Sequence, residues 1–215
     1  MASCVIPVYR EPIEFVRETI ESARSVRGID NVILSDDGTG RDDIDDLGAD
    51  VVRCPENRGP GHAINTALSE LDDDELICRL DCRDSFIADA KARQIIATGT
   101  ASFSFARGIG VTYGTNPHWS TRIYTDNQFA SSSIVFRVGA WRAVCGYPDQ
   151  RWAEDWWFAL LIHKHFGWAR HAEVTALHHE HPGGLSDVSH NPDMKRARDA
   201  DVRRTAEFAR CLSRT

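Results

Sequence analysis

The sequence predicts an α/β fold, a single domain with a mainly parallel central sheet flanked by helices, and three observations predict it. Apolar runs of strand length alternate along the chain with segments whose apolar residues recur at helical spacing. Two of those runs, Asn31-Val32-Ile33-Leu34-Ser35 and Leu76-Ile77-Cys78-Arg79-Leu80, deliver aspartates into the turns that follow, Asp36-Asp37-Gly38 and Asp81-Cys82-Arg83-Asp84. Acids at the carboxyl ends of strands sit where open α/β sheets bind ligands. The length, 215 residues, suits one such domain better than two.

Taken in order, Cys4-Val5-Ile6-Pro7-Val8-Tyr9 reads as a first strand ending in a Pro-containing loop. Phe15, Val16, Thr19, Ile20 and Ala23 then fall on one helical face. The second strand covers Asn31 to Ser35, and an acidic surface stretch from Asp42 to Asp50 leads to a short third strand, Val51-Val52-Arg53. Asn57-Arg58-Gly59-Pro60-Gly61 is a turn-rich loop before a helix with Ile64, Ala67, Leu68 and Leu71 on one side. The fourth strand ends in the second acid cluster. Residues 99–131, rich in Gly, Ser, Thr, Asn and aromatics, suggest loops and short strands, after which Ser133 to Val138 restores a strand. Ala153 to Phe166 reads as a helix with Trp157, Leu160, Leu161 and His165 near one face and Glu154 and Asp155 in its first turn. From Pro192 the tail is basic, with seven Lys and Arg against four Asp and Glu, and suits a solvated amphipathic helix.

Composition excludes some classes. A net charge of -7 disfavours a broad nucleic-acid-binding face. No apolar stretch approaches the roughly 20 residues that span a bilayer, so we expect no transmembrane segment, and the basic tail leaves peripheral contact with anionic lipid open. Six cysteines without a Cys-x-x-Cys pair read as free thiols, and the start of the chain carries no basic leader; both suit a cytoplasmic location.

The order of these motifs resembles the family 2 glycosyltransferases of the GT-A, Rossmann-like fold, over about Cys4 to Ser186. The matching elements are Val5-Ile6-Pro7-Val8-Tyr9, Asp36-Asp37-Gly38-Thr39, Asn57-Arg58-Gly59 with Asn65, and Arg79-Leu80-Asp81-Cys82-Arg83-Asp84, in which Arg83 stands where the family has an aspartate. Further on come Ser132 to Arg137, Cys145-Gly146-Tyr147, Glu154-Asp155 and His181-Pro182-Gly183-Gly184-Leu185-Ser186. The resemblance implies a GT-A domain over residues 1–190, with 1–98 as the nucleotide-sugar half and 99–190 as the acceptor half, followed by a basic helical tail over 191–215.

It also implies the chemistry, transfer of a sugar with inversion from a nucleoside diphosphate sugar to an acceptor hydroxyl on a glycan, protein or small molecule. The Pro7, Tyr9 and Glu11 loop and Asp37 would hold the nucleoside, with Asn57, Gly59, Asn65, Arg79, Asp81 and Arg83 completing the donor site. Asp155 would be the catalytic base, with Glu154, Trp156 and Trp119 toward the acceptor. Asp81, Asp84 and His181 would hold Mn2+ or Mg2+, which bridge carboxylates to diphosphate, while Arg83 brings a fixed charge that repels a cation or pairs with phosphate itself. Each signal has a plainer reading beside it. Asp36 and Asp37 can cap a turn, Glu154 and Asp155 complement a helix dipole, large aromatics fill cores, and His178 and His179 can belong to an exposed strand and loop. Two other functions remain beside transfer: a sugar nucleotidyltransferase, for which the N-terminal loop lacks a Gly-rich basic triphosphate motif, and a catalytically degenerate nucleotide- or glycan-binding module.

Overall fold

Every residue of β1 (Ala2–Val8) is buried, because the strand is covered on both faces. Cys4, Ile6 and Val8 enter one apolar cluster and Val5 the other, the alternation that a pleated strand imposes. This computed structural model describes residues 1–108, 111–113, 124, 130–167, 169–179 and 191–213, with 103–108 and 111–113 as backbone. β1 pairs in parallel with β2 (Asn31–Asp36) and β4 (Leu76–Arg79), and β3 (Asp50–Arg53) extends the parallel set beyond β2. The remaining strands are β5 (Ser85–Phe86), β6 (Ala101–Gly108), β7 (Val111–Tyr113), β8 (Ile134–Arg137) and β9 (Ala169–Leu177). The sheet order is β3-β2-β1-β4-β8-β6-β9-β5, with β7 paired to β6. β8 lies antiparallel to β4 and β6, and β6 and β9 are parallel.

One face of the sheet is covered by α1 (Ile13–Arg24) and α3 (Ala88–Ala97), through Val16, Ile20, Ala23, Ala92 and Ile95. The other carries α2 (Pro60–Leu68), α4 (Val138–Ala143) and α5 (Glu154–Phe166), through Ile64, Leu68, Val138, Phe158 and Leu160. The basic segment forms α6 (Pro192–Leu212), which packs on α5: Trp157 and Phe208 stack with ring centroids 4.1 Å apart, and Gln150 Nε2 donates to Thr205 Oγ1 at 2.9 Å.

Several expectations change. β1 runs through Pro7 to Val8 instead of breaking into a loop at the proline. Pro7 has no N–H, yet none is missed: Val5 O accepts from Leu80 N at 3.1 Å on the β4 side, and β4 pairs with β1 no further than Val5. The 99–131 stretch contains an eight-residue strand, β6, in the interior of the sheet. On α5 the buried residues are Glu154, Trp156, Phe158, Ala159, Leu160 and Ile162, not the stripe of Trp157, Leu161 and His165, because sheet and α6 flank the helix on different sides. Among the described residues no helix is long and apolar enough to cross a membrane.

Candidate active site

Two of the acids named from sequence, Asp81 and Glu154, converge on one buried guanidinium. Arg79, the last residue of β4, is 2% exposed; its Nε donates to Asp81 Oδ1 at 2.7 Å and its Nη2 to Glu154 Oε1 at 2.9 Å. One side chain therefore joins the strand end to the first turn of α5. Asp81 and Glu154 keep Arg79 firmly protonated although burial works against its charge, and Asp155 adds to their field. Burial pushes Asp81 up, but Arg79, a hydrogen bond from Ser131 and the nearby His178 outweigh it and leave the carboxyl below its ordinary value. Glu154 goes the other way: burial lifts it to about 7, Arg79 opposes the rise and Asp155 adds to it. Three carboxylates around a single guanidinium leave an excess of negative charge that a proton on Glu154 relieves. Tyr147, whose ring lies 5.5 Å from the Arg79 Cζ, is also pushed up, chiefly by burial. Arg79 Nη1 and Tyr147 OH are buried with no hydrogen-bond partner among the described residues.

Glu154 does not face an acceptor; at 5% exposure it points inward to Arg79, which corrects its assignment. Trp156, at 3% exposure, belongs to the core and is corrected likewise, since a buried ring offers no platform to a sugar. Asp155 is half-buried beside them, with Oδ1 accepting from Trp156 N at 2.7 Å. Ala153, just before the helix, has φ 58, and Arg83 has φ 78, so two of the described non-glycine residues in the left-handed region flank this corner.

The second acid cluster divides. Asp81 keeps its side chain 33% exposed. Asp84, 4% exposed, is committed elsewhere: Oδ2 accepts from Ser132 Oγ at 2.6 Å, while Oδ1 meets His178 Nδ1 at 3.0 Å and His179 N at 3.2 Å. Asp84 is thus an anchor for β9's end and the serines before β8, and its assignment as a metal ligand is corrected. His178 and His179 serve Asp84 and Ser85 rather than a convergent cluster. His181 and Trp119 lie outside the described residues. Arg83 is half-buried, with its Cζ 3.7 Å from the Phe15 ring centroid and its N–H donating to Thr19 Oγ1 at 3.0 Å.

In the loop after β1, Tyr9 N donates to Glu11 Oε2 at 2.7 Å, whereas Pro7 stays in the strand. Asp36 caps its own turn, accepting from Thr39 N and Gly40 N at 2.9 and 2.8 Å. Asp37 holds the next loop: Asn57 Nδ2, Arg58 N and Gly59 N donate to it at 2.8, 2.9 and 2.9 Å. Gly38 must be glycine, because a Cβ there would stand 2.3 Å from the Glu56 carbonyl carbon. Asn65 is corrected from donor contact to clamp, its Nδ2 donating to Tyr147 O at 2.9 Å and its Oδ1 accepting from Trp141 Nε1 and Tyr147 N at 2.8 and 2.9 Å. Asn57 is engaged by Asp37 and by Arg151. Ser131 and Arg151 were not singled out from sequence, and Ser132, Tyr147 and His178, though they lie in quoted motifs, were given no place in the site.

Comparison with known proteins agrees with the fold. The profile of glycosyl transferase family 2 matches residues 3–133. No curated protein matches in sequence. Among solved structures, S. aureus TarS 1-349 in complex with UDP-GlcNAc is 15% identical with a TM-score of 0.65, covering 85% of this chain and 59% of that one. The mannosyltransferase PcManGT from Pyrobaculum calidifontis, in complex with GDP-Man and Mn2+, is 17% identical with a TM-score of 0.64, covering 94% of this chain and 64% of its own. The chain spans less than two thirds of the length of either structure, and at these identities the likeness establishes the fold.

Proposed function

Because the chain belongs to glycosyl transferase family 2, we propose that it is an inverting enzyme that moves a sugar from a nucleoside diphosphate sugar to an acceptor hydroxyl. The observation that carries this reading is the double pairing of Arg79, which sets the Asp81 strand end and the helix start bearing Asp155 at one corner. The ligands of the two similar structures, UDP-GlcNAc and GDP-Man, support a nucleotide-sugar donor. Tyr9, Glu11 and the loop held by Asp37 form the nucleoside side, and Asp81 and Arg83 the diphosphate side. Arg83 brings to the leaving group a permanent charge that does not depend on pH. Asp81 would hold a divalent ion such as Mn2+ or Mg2+, which when bound supplies neutralisation of the leaving diphosphate.

Asp155 accepts the proton of the acceptor hydroxyl while that oxygen attacks the anomeric carbon. The bond to the diphosphate oxygen breaks in the same displacement, so the configuration inverts. Glu154, held inward by Arg79, positions the helix start from which Asp155 projects. Asp155→Asn is the test: kcat falls by about 10²–10⁴-fold while nucleoside diphosphate affinity stays within twofold. A variant that turns over at the normal rate removes Asp155 from this role.

A further inference from the structure

We propose that Asp37, Cys54 and His62 form a zinc-binding site away from the Asp81 corner, sharing Asp37 with the nucleoside side of the proposed function. The three come from the residue after β2, the residue after β3 and the first turn of α2. A carboxylate oxygen, the thiol sulfur and a ring nitrogen lie within 4.8 Å of one another. Tetrahedral zinc, with bonds of about 2.0 Å to nitrogen or oxygen and about 2.3 Å to sulfur, sets such donors roughly 3.3–3.5 Å apart. Adjustment on the order of an ångström therefore closes the site.

The donor set selects the ion. A thiolate beside an imidazole favours zinc over Mg2+ or Mn2+, which prefer oxygen. Asp37 and Cys54 are buried and His62 is half-buried, yet His62 Nδ1 is a buried nitrogen with no hydrogen-bond partner among the described residues. An orphaned buried nitrogen is costly unless something binds it. Asp37 is held in place from behind by Asn57 Nδ2, Arg58 N and Gly59 N, which take three of a carboxylate's roughly four acceptor sites and leave one. Cys54 is fixed by its N–H to Asp36 O at 2.8 Å, and its sulfur meets Thr66 Oγ1 at 3.4 Å. With three protein ligands the fourth position is left to water or an added ligand. On binding, the Cys54 S–H bond is exchanged for S–Zn and its proton passes to solvent.

The experiment is zinc titration of the full chain, stripped with chelator under reductant, by calorimetry in two buffers of different ionisation enthalpy. One zinc per chain with one proton released is expected, and Cys54→Ser and His62→Gln each weaken it at least tenfold while unfolding at the wild-type temperature without zinc. Since Cys145 and Cys211 are exposed thiols that can take zinc instead of the buried Cys54, wild-type zinc affinity in both variants overturns the proposal, as does no zinc binding by the wild type. Cobalt serves as a probe that needs no variant: the wild type shows the visible bands of a tetrahedral thiolate-ligated ion, and their absence likewise overturns the site.

Discussion

Arg79 meets the carboxylates of Asp81 and Glu154 directly, yet burial, with the charge of Asp155 added to it, outweighs Arg79 and makes Glu154 the titrating group of the corner. Its folded value of about 7 lies above the ordinary glutamate value of 4.5. The stability that the neutral carboxyl contributes is therefore complete below about 4.5 and is lost as pH rises through about 7, the unfolded chain giving up its proton first. In Glu154→Gln that dependence disappears. The stability of the wild type minus that of the variant, from urea unfolding at a series of pH values, should fall between pH 4.5 and 7 and level off above. A difference that rises over the window would mean that Arg79 outweighs burial. Asp81 and Asp155 were legible as candidates in the sequence because strand ends and first turns are local features. The fates of Asp84, Asn65 and Trp156 were not, since Asp84 is settled by Ser132 and His178, and Asn65 by Trp141 and Tyr147, all 48 to 94 residues away.

At the scale of elements, the corner depends on how closely α2 approaches α5. A Cβ on Gly61 would stand 2.9 Å from Glu154 Cγ, 3.1 Å from Tyr147 Cβ and 3.3 Å from Glu154 Cβ. Gly61→Ala should thus push the start of α5 away from Arg79 and cost about 1–3 kcal/mol, the usual penalty for overpacking. Denaturant unfolding reads the loss, and an unchanged midpoint would show that the two helices have room to part. Strands β1, β2, β4 and β8 were legible because strands buried on both faces are continuous apolar runs. Helix α3 and strand β9 were not, and the reason is chemical. α3 buries Lys91 and Gln94, whose Nζ and Nε2 donate to Ser132 O and Ser133 O at 3.1 and 2.9 Å, so its inner face does not read as apolar. β9 carries His171 and Glu173 between its small residues and shows little alternation.

For the molecule as a whole, the order of weak motifs was more informative than any one of them, because a parallel sheet returns successive strand ends to the same edge. Sequence order thereby became spatial neighbourhood for Glu11, Asp37 and Asp81. The path by which β8, β6 and β9 continue the sheet beyond β4 was not legible, since those pairings join residues far apart in the chain. In the function proposed above, this edge transfers a glycosyl group in a single displacement. That transfer is tested most directly by proton NMR of purified protein with a panel of UDP- and GDP-sugars and Mn2+, water serving as the acceptor in place of the missing hydroxyl. Slow release of nucleoside diphosphate from one donor, with the first free sugar in the anomeric configuration opposite to that donor's, is the expected result. A first product that retains the donor's configuration, or no release from any member of the panel, would contradict the account.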